Sequence, residues 1–136
     1  MHRPASRGYI AAPMAFITLG LTLSTAVDAR QRMARTPYGQ SKAAVESIRD
    51  IVVEMNQDID ARLLDGEEGV VIDCLQSRRT SVATLQSLAE AERARLVEAL
   101  ADGKQPAVTA ALRNVMLWQV KAKVTAEQAG ECGAER

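Results

Sequence analysis

The chain has 136 residues, with 17 Lys and Arg against 17 Asp and Glu, 47% hydrophobic residues and 3% aromatics. This length predicts a single domain, and a net charge of zero with both signs interleaved excludes a nucleic-acid-binding protein or a polybasic membrane binder. The only imidazole is His2, so beyond the first residues His-based acid–base catalysis and His-containing metal sites are excluded.

Residues 1–9 carry Arg3 and Arg7 and no acid, and residues 10–23 form a 14-residue run without charge. Small residues follow, in the order Ser-Thr-Ala-Val-Asp-Ala. Basic, apolar, then small is the layout of a secretory signal peptide, expected over residues 1–29 with cleavage after Ala29 or Ala26. As a helix the apolar run reaches about 21 Å, short of the ~30 Å hydrocarbon core of a bilayer. Arg30, Arg32 and Arg35 lie directly downstream, where positive charge resists translocation. Two alternatives therefore stay open. One is an uncleaved membrane anchor formed by residues 10–23, and the other a chain that starts at Met33.

Residues 30–40 are polar and basic, with Pro37 and Gly39, and are expected to form a flexible leader. Ser41 is the expected N-cap of a first helix. After it Val45, Ile48, Val52, Met55 and Ile59 alternate spacings of three and four, and Ala44, Ile51 and Leu63 widen the stripe. Gly66 is the expected stop. A second helix is expected from about Gly69, carrying Leu75, Val82, Ala89 and Leu96 seven residues apart, which marks a long seam against a neighbouring helix. Gly103 ends it, and Pro106 suits the first turn of a third helix with Val108, Leu112, Val115, Ala122, Ala126 and Ala129 on its apolar face. Gly130 and Gly133 close that helix, and no run of period two reads as a strand. Short connections make successive helices antiparallel neighbours. The expected fold is all-α, a three-helix up-down bundle over residues 41–133 with a tail at 134–136.

Cys74 and Cys132 are equidistant from Gly103. An antiparallel hairpin turning there sets them opposite each other at its open end, and bridging needs Cα atoms within about 7 Å. In an exported protein this predicts a disulfide that fastens the hairpin. Asp73-Cys74-Leu75 opening one long helix and Glu131-Cys132-Gly133 closing its partner resemble a group of small secreted bacterial two-cysteine helical-hairpin proteins of unassigned function. The resemblance covers residues 70–133. It implies a stapled hairpin and supplies no catalytic residues.

No catalytic, cofactor-binding or metal-ligating set is expected. Glu46, Asp50, Glu54 and Asp58, four residues apart, read as a solvated helix face. Asp58 fails as the start of a calcium loop, because Leu63 stands where glycine is required. Glu92 and Arg78 sit at the edge of the seam and are expected to pair with a neighbouring helix. The Ser and Thr hydroxyls have no imidazole to activate them, and Trp118 reads as a packing residue. The expected function is that of a non-enzymatic exported module, periplasmic or extracellular. It would bind a protein partner or itself through helices, and neither nucleic acid nor, once cleaved, the membrane interior. The first helix is held by packing alone and is expected to swing away, exposing Leu75, Val82, Leu85 and Leu96 to a partner helix.

Overall fold

In the computed structural model the structure describes residues 26–133. Most of the expected signal peptide, the alternative anchor at residues 10–23 and the tail at 134–136 lie outside the described residues. The chain divides into two units, Met1–Met33 and Ala34–Arg136. Residues 26–33 of the first are helical. The second is built from helices α1 (Pro37–Leu64), α2 (Val70–Ala101) and α3 (Gln105–Ala129), followed by a short 3-10 turn, Gly130–Gly133. No strand occurs among the described residues, and no helix among them is long and apolar enough to cross a membrane.

The leader expected at residues 30–40 is helical at 30–35 and again from Pro37. The start of α1 is set by Thr36, whose hydroxyl oxygen accepts a hydrogen bond from the Gly39 amide at 3.0 Å. Pro37 follows in the first turn, where its missing N–H costs nothing. Ser41, expected as the cap, is instead wholly buried one turn further on. Its hydroxyl donates to the Tyr38 carbonyl at 2.8 Å, which satisfies the one polar group at that point of the core.

The two glycine stops work by the same chemistry. Gly66 has φ +83° and Gly103 φ +67°, conformations that side chains with a Cβ rarely adopt. At the first, the Glu67 amide donates to the Arg62 carbonyl and Gly66 to Leu63. At the second, Lys104 donates to Ala99 and Gly103 to Leu100. Each turn thereby satisfies two carbonyls that the helix end leaves without a partner.

All three long helices pack on one another, and the α2–α3 contact is the most extensive. Leu75, Val82, Ala89 and Leu96 of α2 are buried, and so are Val108, Val115, Ala122 and Ala129 of α3 at the same seven-residue interval. They meet in layers. Leu96 clusters with Val108 near the Gly103 turn, Val82 and Ala89 with Val115 and Ala122 midway, and Leu75 with Ala129 at the far end. The alanines let the two backbones approach while a larger residue opposite fills the space. Ala44, Val45 and Ile48 of α1 complete the middle layers, and Ile59 joins the far one. The layer beside the turn contains α2 and α3 residues alone.

Candidate functional site

Cys74 lies in the second turn of α2 and Cys132 in the 3-10 turn after α3. Their sulfurs are at bonding distance, 2.03 Å, with the Cα atoms 5.7 Å apart. The cysteines thus meet where equal hairpin arms predict. Closing a loop of 58 positions stabilises the fold by up to about 4 kcal/mol through the entropy it removes from the unfolded chain.

The predicted partner seam lies elsewhere than at a surface. Leu75, Val82 and Leu96 are 3%, 0% and 0% exposed, and the half-buried Leu85 packs against the central layers. Leu96 clusters with Val108 and Ala111 of α3. These leucines and valines are hairpin core. Leu75 lines a crevice of about 290 Å³, where Met55 and Ile59 of α1 face Ala126 and Ala129 of α3 and Glu54, Asp58 and Arg62 form part of the rim.

The charged groups mostly pair locally. Glu46, Asp50, Glu54 and Asp58 are exposed, as a solvated face requires. Arg62 donates to Asp58 at 3.1 Å and to Glu67 at 3.2 Å, and these bonds raise its pKa. Glu92 pairs with Arg95 of its own helix rather than with a neighbour. Arg78 does cross from α2 to α3, but to the Gln128 side-chain carbonyl at 3.2 Å rather than to a carboxylate. Among the described residues no three His, Cys, Asp or Glu side chains converge to hold a metal ion.

Beside the apolar packing, two polar contacts tie α1 to α2 among the described residues. The Arg93 guanidinium stacks over the Tyr38 ring, 5.2 Å from its centroid, and donates to its hydroxyl at 3.2 Å. Glu90 accepts from Gln86 at 3.0 Å and from Arg49 at 3.2 Å. The Gln86 hydrogen bond, then that of the Arg49 guanidinium, hold the Glu90 carboxyl below its usual range. A carboxyl depressed in the folded state stabilises above its unfolded pKa, and this contribution is lost as pH falls through the folded value. The difference in thermal midpoint between wild type and Glu90→Gln is therefore expected to shrink as pH is lowered from about 6 to about 3. Solvent screening at this half-exposed pair keeps the effect to a few tenths of a kcal/mol. A difference that grows on acidification would contradict the assignment.

The surface holds one feature the sequence reading passed over. The outer side of α3 carries Leu117, Val120 and Val124, which are 45%, 56% and 46% exposed. Beside them, Ser81, Thr84 and Leu85 of α2 line a shallow groove with Val120, Lys121 and Val124. Spacings of three and four, the same signal used for the core face, mark this second stripe in the sequence. No family model, curated protein or solved structure matches the chain.

Proposed function

We propose that the protein is a non-enzymatic helical interaction module of the bacterial cell envelope, exported to the periplasm or beyond. In this reading it is an up-down three-helix bundle whose α2–α3 hairpin is fastened by Cys74 and Cys132. The observation that carries the reading is the cysteine pair at bonding distance across the open end of the hairpin. Disulfides persist in oxidising compartments and are rare in the cytosol of mesophiles. Further support comes from the signal-like order of residues 1–29 and from the likeness of residues 70–133 to secreted two-cysteine hairpins. The exposed apolar side of α3 suits binding rather than chemistry.

N-terminal sequencing and thiol-alkylation mass spectrometry of the protein from fractionated cells test this together. A chain beginning at Val27 or Arg30 in the periplasm or medium, with no alkylatable thiol, is the expected result. Two free thiols on a cytosolic chain starting at Met1 or Met33 would remove the proposal. An oxidised chain that keeps Met1 and sediments with membranes would make it an anchored envelope protein instead.

A further inference from the structure

Helix α3 is apolar on two sides. One side packs in the core through Val108, Ala111, Val115, Ala122 and Ala129. The other presents Leu117, Val120 and Val124 to solvent. Over its whole length the helix carries charge only at Arg113, Lys121, Lys123 and Glu127. An apolar stripe at helical spacing on an exposed side marks a surface suited to being covered. In this fold only the inner side of α3 is covered.

We infer that the outer side of α3 is the contact between two copies of this chain, paired antiparallel about a twofold axis at Val120. The inference rests on the reading of the protein as an interaction module and names the surface and the partner. What selects a second copy is the placement of charge. Arg113 stands seven residues before Val120 and Glu127 seven after, on the same exposed side of the helix. A twofold axis makes an interface self-complementary, so that each surface residue meets its symmetry mate's counterpart. Antiparallel pairing at Val120 sets Arg113 of each copy against Glu127 of the other, closing both ends of the apolar stripe. Parallel pairing would set Arg against Arg and Glu against Glu. Lys121 is drawn aside over the Trp118 ring, 4.7 Å from its centroid, and the exposed Lys123 flanks the stripe on its other edge. Leu85 of α2 lines the groove beside Val120 and Val124 and extends the apolar surface beyond α3.

From Arg113 to Glu127 the stripe runs about 21 Å. Two such surfaces bury on the order of 1,000 Å² in total, the low end for a specific interface. An interface of that size is expected to be reversible.

Sedimentation equilibrium of the full oxidised chain from low to high micromolar concentration tests it. Wild type is expected to pass from monomer to dimer over that range. Val120→Glu should raise the dissociation constant at least tenfold, since it buries an unpaired charge on the axis. Arg113→Glu and Glu127→Arg should each weaken pairing, and the two together should restore it to within about threefold. All three positions are exposed, so circular dichroism should not change, nor the thermal midpoint at concentrations where the wild type is monomeric. Association indifferent to every variant, or a charge swap that fails to restore it, would overturn the inference. So would a wild type that stays monomeric and instead co-floats with phosphatidylglycerol vesicles, which would assign the stripe to an anionic lipid surface. Pairing of purified chains does not depend on export, so this outcome is separate from the N-terminus and thiol result that decides the envelope reading.

Discussion

Replacing both bridge cysteines, Cys74→Ser with Cys132→Ser, is expected to lower the thermal midpoint by roughly 16–32 °C. The loop-entropy contribution of about 4 kcal/mol converts at 4–8 °C per kcal/mol for a domain near 100 residues. Most of the loss comes through the unfolded chain, which gains the freedom of 58 positions. A second measurement separates this from lost packing. The unlinked chain unfolds to a more expanded ensemble, so its urea m-value should rise, whereas a purely native-state defect leaves m unchanged. A midpoint within a few degrees of wild type would mean that the bridge constrains little that the fold does not already fix.

Ile48→Ala is expected to cost about 3–4 kcal/mol, because Ile48 is wholly buried where all three helices meet. The cavity it leaves is bounded by Val82 and Ala89 of α2 and by Val115 and Ala122 of α3. Those small, backbone-close residues have little room to collapse into it. Leu88→Ala, at a site 41% exposed, should cost less than about 1 kcal/mol and serves as the control. The comparison also decides how firmly α1 is held. If α1 docks loosely enough to swing, Ile48→Ala will cost under about 1 kcal/mol at equilibrium, and amides across Pro37–Leu64 will exchange faster than those of α2 and α3. A full cost with uniformly slow exchange would make α1 an integral part of the core.

The helices and their stops were legible because period and punctuation agree. Gly66, Gly103 and Pro106 act in the structure as their chemistry requires, and the seven-residue seam of α2 is buried throughout. The cysteine pairing followed from equal arm lengths alone. The start of α1 was misplaced because Ser41 and Thr36 are both good capping residues. The proline after Thr36 decided between them, and a buried serine bonded back to its own helix looks the same in sequence as a cap. The candidate seam is buried in this structure, and periodicity alone reaches only so far there. Periodicity shows that Leu75, Val82 and Leu96 share a covered face, but it does not say which neighbour covers it or for how much of the time. Ala111, Ala122 and Ala129 of α3 share in that covering, with Ala44, Val45, Ile48 and Ile59 of α1 over the middle and far layers. Small residues carry a weak hydrophobic signal precisely where close backbone approach makes them most useful. The outer stripe of α3 escaped because one apolar face per helix is the ordinary expectation.

The hairpin closed by Gly103 at one end and by the cysteines at the other is a covalent ring, and it divides any tension along the chain unequally. A pull applied between the N-terminal side of α1 and the residues after Cys132 enters the ring at Cys74 and leaves it through the sulfur–sulfur bond. It bypasses α3 and nearly all of α2. The 58 positions in the ring, about 200 Å of extended backbone, are withheld from stretching as long as the bond is intact. Under load, then, α1 and the segment from Asp65 to Asp73 are the parts that yield, while the hairpin travels as one inextensible piece. Reduction of a single bond would turn a stiff link into a long compliant one.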